Sequence, residues 1–179
     1  GLKVPRETML QAPASSGHTC RFQTSWDTEL WPLSIVDTAL EDNRILCLNF
    51  ATHAGVDVSE LKLDFLRLHL SGDFMTTMPL HDMLVANLER IEIADSSGKR
   101  LAVIPLKQLV EVGYAPDDQV LPSKGNIHPA FNLLQEYFSF PAKFLFFDLH
   151  GLAGRLGQGN RFTIKFAFQS AVKVLASVN

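Results

Sequence analysis

The stretch LKLDFLRLHLSGD, residues 61–73, constrains the fold more than any other. Leu61, Leu63 and Phe65 repeat with a period of two, which places alternate side chains on one face of an extended chain. Leu66, Leu68 and Leu70 then repeat on the opposite parity. A helix produces neither pattern, because its apolar positions recur every three or four residues. The segment reads as a strand whose faces exchange near Phe65-Leu66, as a β-bulge or a switch between sheets requires.

Period two returns in short runs. RILCLNFAT (44–52) sets Leu46, Leu48 and Phe50 against Ile45, Cys47 and Asn49, and RFTIKFAF (161–168) lines Phe162, Ile164, Phe166 and Phe168 on one face. RIEIADSSGKRLAVIP is a hairpin with Asp95-Ser96-Ser97-Gly98 at its turn. KFLFFDL (143–149) is apolar on both faces and reads as a strand buried between layers. CRFQTSWDTELWPLSIV, interrupted by Pro32, offers a strand or two at an edge. Two segments turn helical. In residues 76–88 Thr77 is placed to cap, Pro79 fits the first turn, and Leu80, Met83, Leu84 and Leu88 share a face. Pro129 opens the second, with Ala130, Phe131, Leu134, Tyr137 and Phe138 on one side, and Phe140, forced extended by Pro141, ends it. LKQLVEVGY (106–114) stays open between strand and short helix, and APDDQVLPSKGNIHP is a loop.

Regular βαβ alternation is absent. The expected fold is therefore mainly β with α: antiparallel, sandwich-like sheets with two or three short helices at the margin. Residues 1–20 read as an extended lead-in, and residues 21–179 as a single β-rich domain of ordinary size. A chain of this length buries about 70% of its unfolded surface, enough for a real core.

Composition removes several functions. A formal charge of −3 and scattered basic residues argue against nucleic acid and anionic lipid. Cys20 and Cys47 lack CxxC spacing and read as buried free thiols, a single bridge being the alternative. The first residues, GLKVPRETML, hold no continuous apolar core of a signal peptide. LLQEYFSFPAKFLFFDL (133–149) is apolar but carries Glu136, Lys143 and Asp148 and is broken by Pro141, so it does not span a bilayer.

No catalytic, cofactor-binding or metal-ligating constellation emerges. Gly151, Gly154, Gly157 and Gly159 precede a strand, whereas a phosphate loop opens a helix, so GLAGRLGQGN reads as a flexible connection. The histidines 18, 53, 69, 81, 128 and 150 form no HxxxH or HExxH pair, and His69 reads as a core or edge residue. Asp117-Asp118 and Glu41-Asp42 are neighbours in polar loops rather than carboxylates opposed across a substrate. There is no GxSxG elbow. Two further readings stay open: a β-sandwich binding carbohydrate or another small ligand on Trp26 and Trp31, and a hydrolase whose triad is assembled from distant positions.

Three segments, in order, resemble the TssF family of the bacterial type VI secretion baseplate. CRFQTSWDTELWPLSI is similar to the family's Cys-Arg-Phe-Arg-Thr run with its following Leu-Trp-Pro-Leu, and LDFLRLHLSGDFMTTMPLHDML to its Leu-Arg…Leu-x-Gly-Asp stretch and helix. The most specific is 133–149, close to Leu-Leu-Gln-Glu-Tyr-Phe and Phe-Pro-x-Lys-Phe-Leu-Phe-Phe-Asp-Leu. Ala130-Phe131-Asn132 and Ala142 depart from it, where Gly-Tyr-Arg and an acidic residue are usual. The resemblance covers residues 20–152 and implies an internal portion of a longer TssF-like protein. It implies a structural scaffold, not an enzyme and without cofactors. The expected partners are TssG, TssK and TssE in a wedge around the VgrG spike, with a TssF homodimer within the wedge; phage baseplate wedge proteins are the analogous parts. It also implies a cytoplasmic location, in a baseplate docked at the inner-membrane complex, without insertion into the membrane. The signature residues Leu134, Gln135, Glu136, Tyr137, Phe138, Phe140, Pro141, Lys143, Phe144, Phe146, Phe147 and Asp148 are the structural or interface candidates. Within them, Leu134, Tyr137, Phe138, Phe144 and Phe146 are expected to lock the helix onto the sheet, with Phe147 facing the other layer.

Overall fold

The computed structural model describes residues 1–13, 17–53, 55–121 and 128–172. In chain order the strands and helices are β1 (Leu2–Val4), β2 (Met9–Pro13), β3 (Thr19–Gln23), β4 (Thr28–Leu30), β5 (Leu33–Glu41), β6 (Ile45–Thr52), β7 (Phe65–His69), α1 (Phe74–Ala86), β8 (Leu88–Asp95), β9 (Arg100–Ile104), β10 (Leu109–Glu111), α2 (Pro129–Ser139), β11 (Phe146–His150) and β12 (Arg161–Phe168). The fold is mainly β, and every strand pairing is antiparallel. The chain divides into two compact units: residues 1–31 with 113–144, and residues 32–112 with 145–179. Part of the loop expected at 115–129 falls on residues 122–127, outside the described residues.

The larger unit holds a five-stranded sheet, β5-β6-β12-β8-β9, and a three-stranded sheet, β10-β11-β7. β12 is central because its expected face is real: Phe162, Ile164, Phe166 and Phe168 are each at most 2% exposed. Phe162, Ile164 and Phe166 lie opposite Phe50, Leu48 and Leu46 on β6, Ile164 and Phe166 lie opposite Ile93 and Ile91 on β8, and Phe162 stacks on Phe50 at 4.9 Å. Each strand pairing supplies the backbone bonds, so the inward face can be pure hydrocarbon. The hairpin also forms. Asp95 Oδ1 accepts from Ser97 N–H, Ser97 O–H and Lys99 N–H, and Gly98 takes a φ of +83°. Residues 151–160, expected to be a flexible connection, are instead pinned by Leu152 and Leu156, both buried.

Three local expectations change. The strand expected over 61–73 is confined to β7, Phe65–His69. Leu63, fully buried, arrives on irregular backbone after a 3-10 turn at Val58–Glu60. The parity change at Phe65-Leu66 therefore marks where the strand begins, not a bulge. Helix α1 starts earlier than expected because Asp73, not Thr77, caps it, accepting from Thr76 N–H at 3.0 Å. Pro79 then lies beyond the first turn, and Thr77, His81 and Leu84 form the buried side. Residues 143–145 of KFLFFDL belong to a 3-10 turn, Pro141–Leu145, and only Phe146–His150 is strand. The 106–114 segment resolves into both readings, a 3-10 turn at Leu106–Gln108 followed by β10.

The smaller unit contains two-stranded sheets β1-β4 and β2-β3 together with α2. The expected lead-in thus contributes β1 and β2 to pairs. Both cysteines are free. Cys20, on β3, is exposed rather than buried, while Cys47 on β6 is buried. Burial, reinforced by a hydrogen bond with Glu41, pushes the Cys47 thiol up to about 11.

Candidate functional site

Among the described residues no group of three or more His, Cys, Asp or Glu side chains could hold a metal ion. Nor is any described helix long and apolar enough to cross a membrane. Ser34 Oγ lies 2.5 Å from His53 Nε2. The pair joins the start of β5 to the residue after β6, His53 is exposed, and no described ion pair links it to a carboxylate. A triad needs that third, orienting group. Trp26 and Trp31 are both half-buried. Trp26 donates its indole N–H to the Asp118 carbonyl at 3.0 Å, and the Trp31 ring lies against Gly1. Both rings are thus partly engaged within the protein's own chain.

The unexpected feature is α2. Pro129 occupies its first turn, His128 caps it through Nδ1, and it stops at Ser139, as the sequence dictates. Its orientation is reversed. Phe131 is 68% exposed, Leu134 55% and Phe138 77%, while Asn132 and Glu136 are buried. Tyr137 and Phe140 are also exposed. The expectation that Leu134, Tyr137 and Phe138 lock the helix onto a sheet is therefore overturned. Apolar spacing defined the stripe correctly and its direction wrongly.

The reason lies under the helix. Glu136 Oε1 accepts from the N–H groups of Val120 and Leu121, at 2.8 and 2.7 Å. Its Oε2 accepts from Lys143 Nζ, and both side chains are almost wholly buried. A buried carboxylate is tolerated only when paired and hydrogen-bonded, and here each oxygen has a partner. Burial alone pushes the Glu136 carboxyl up. The hydrogen bonds from Lys143, Leu121 and Val120 outweigh it and hold the carboxyl below its ordinary value. Irregular backbone at 120–121 needs an acceptor, and α2 must turn its glutamate inward to supply one.

The surrounding groups fix this clasp. Phe144 is buried among aromatic rings, 5.5 Å from Tyr137 and 5.0 Å from Tyr114, and Tyr137 meets Phe138 edge-on. Gly113 has a φ of +110°, and a Cβ there would sit 2.9 Å from the Lys143 carbonyl oxygen. Asp118 Oδ2 accepts from Gly113 and Ala115 N–H, so one of the paired loop carboxylates organises its own turn.

The remaining signature residues are spread over the fold. Gln135 and Pro141 are exposed and Phe146 is half-buried. Phe147 is buried, with the His81 ring 5.1 Å away. Asp148 forms a two-pronged ion pair with Arg67, directly across from it on β7, at 2.8 and 2.7 Å. Sequence reasoning missed Arg67 as a partner, and Val120 and Leu121 as donors. Arg67 had a signal, because it stands in the Leu-Arg motif of the second resembling segment, whereas a backbone N–H carries none.

A family model described as "Type VI secretion system, TssF" matches residues 1–178. The chain belongs to the TssF family. A TssF relative, the type VI secretion system component TssF1 of Pseudomonas aeruginosa, is 27% identical over 149 residues. That match covers 74% of this chain and 24% of the relative. The fold is similar to a chain in the cryo-electron microscopy structure of the TssK-TssF-TssG baseplate subcomplex, with a TM-score of 0.78 at 24% identity. The likeness covers 99% of this chain and 35% of that one. This TssF-family chain therefore spans about a quarter to a third of the length of the proteins it matches.

Proposed function

We propose that this TssF-family chain is a structural portion of the type VI secretion baseplate, acting by protein–protein assembly rather than by turnover. The family match over residues 1–178 carries this reading. Two observations support it: the similar fold belongs to a structure of TssK, TssF and TssG together, and the α2 face leaves large apolar side chains uncovered. The finer reading places the protein in a cytoplasmic wedge with TssG, TssK and TssE around VgrG, with two TssF copies per wedge, docked at the inner-membrane complex.

The test is coexpression of the full-length protein with the TssG and TssK of the same genome, followed by native mass spectrometry. A defined complex is expected, its mass giving the number of TssF copies. Components that stay separate would sink the reading. Adding TssE and VgrG in turn tests the outer partners one at a time.

A further inference from the structure

We propose that the main chain at 118–121 is a relay, carrying the position of the loops at 5–8 and 24–27 to α2, with Arg6 and Trp26 as positioning residues for Glu136. Four consecutive residues present two carbonyls and then two N–H groups, and a side chain from elsewhere meets each of them. Trp26 donates its indole N–H to the Asp118 carbonyl at 3.0 Å, and Arg6 donates from Nη2 to the Gln119 carbonyl at 3.2 Å. The Val120 and Leu121 N–H groups donate to Glu136 Oε1. A strand in a sheet draws such bonds from a neighbouring main chain, in a ladder of many. Here each bond hangs on one side chain, with the two loops at one end of the run and the helix at the other.

The two loops are stitched into one body. Glu7 N–H donates to the Thr24 carbonyl at 2.9 Å, and Thr24 N–H donates to the Thr8 carbonyl at 3.0 Å. Thr24 Oγ1 donates to the Pro5 carbonyl and accepts from Thr8 N–H. Arg6 N–H donates to Asp27 Oδ1 at 2.7 Å, beside Trp26. Glu7 is held at a φ of +68°, a left-handed setting that costs a residue with a Cβ and persists where surrounding bonds over-determine it. Arg6 and Trp26 therefore leave a fixed base. Three peptide planes separate Asp118 from Leu121, each rigid, so few soft torsions are available to absorb a shift between the two sets of ties. At the far end Lys143 holds the second Glu136 oxygen, and Phe140 N–H donates to the Glu136 carbonyl at 2.7 Å, which joins the carboxylate to the body of α2. A movement of either loop thereby reaches the helix that carries residues 133–139 of the family signature.

The experiment is hydrogen–deuterium exchange of the full-length protein, read by mass spectrometry on peptides covering 119–121, 130–140, 19–23 and 161–168. Trp26→Phe keeps an aromatic ring and removes the donor. It should speed exchange roughly three- to tenfold at 119–121 and also in α2, the range that one lost hydrogen bond predicts, while 19–23 and 161–168 stay at the wild-type rate. Arg6→Met should act in the same places more weakly, because its bond is exposed, and Arg6→Lys, which keeps a cationic donor, should restore wild-type exchange. Faster exchange at 119–121 with α2 unchanged overturns the relay, since the run is then tied but passes nothing on. Equal acceleration at 19–23 or 161–168 overturns it as well, because the loss is then one of general stability. Wild-type exchange throughout in both Trp26→Phe and Arg6→Met has the same meaning, and an Arg6→Lys protein as fast as Arg6→Met removes Arg6 from the relay.

Discussion

β12 and α2 each carry four large apolar side chains in a regular pattern, yet one pattern points inward and the other out. In β12 the inward side is hydrocarbon, Phe162, Ile164, Phe166 and Phe168, with a hydrogen-bonded strand on either side. In α2 the inward side is Asn132 and Glu136, while Phe131, Leu134, Tyr137 and Phe138 face solvent. The difference follows from what each element lies against. A strand flanked by strands meets backbone that is already satisfied. A helix beside the irregular 120–121 backbone meets N–H groups that require an acceptor, and a carboxylate delivers one. Periodicity therefore sets which residues share a face, but the neighbour decides which face is buried.

The largest effect that tests this contrast is in β12. Phe166→Ala should destabilise the larger unit by about 3–5 kcal/mol, as expected for a buried ring in a well-packed core. Denaturant unfolding measures it, and a cost below about 1 kcal/mol would show that hydrocarbon packing is not what holds β12. The next effect is in the clasp. Lys143→Met should cost about 3 kcal/mol, because it leaves the Glu136 charge buried without its cation. Adding Glu136→Gln should recover most of that loss, since a neutral amide oxygen still accepts from Val120 and Leu121. Simple addition of the two single costs would refute the ionic account.

The smallest effect is a pH dependence confined to the clasp. The folded Glu136 carboxyl lies below its ordinary value, so it stabilises the fold above the unfolded carboxyl range near pH 4.3. That contribution should fade as the pH falls through the folded value. Amide chemical shifts of Val120 and Leu121, followed from about pH 6 to pH 3, should move together with Glu136 protonation and stay flat in Glu136→Gln. The amides of Phe162 and Phe166 should not follow them, and a common transition would mean that the acid response is global.

The legible parts of the fold were those whose determinants are local. β12 and β6 follow from alternation, the 95–98 turn from Asp-Ser-Ser-Gly, and the limits of α2 from Pro129 and Pro141. α1 was legible as a helix, but its start turned on choosing Asp73 over Thr77, two capping residues four apart. The clasp was illegible because half of it is main chain. Asn132 and Glu136, four apart, do mark a polar stripe on α2, yet only the folded 120–121 backbone makes that stripe the inner one. Recognition of the family came from Leu133–Leu149 without any knowledge of which way those residues point. The resemblance named the family and not the surface.

Gly113 has a consequence for how freely this sequence can drift. Its φ of +110° excludes most side chains, and a Cβ would meet the Lys143 carbonyl oxygen at 2.9 Å, so two independent conditions both demand glycine. Gly98 shares the left-handed backbone but opens onto empty space, and asparagine could take its place at small cost. Position 98 thus has room for a side chain, whereas position 113 is held still by the residue that carries the buried ammonium.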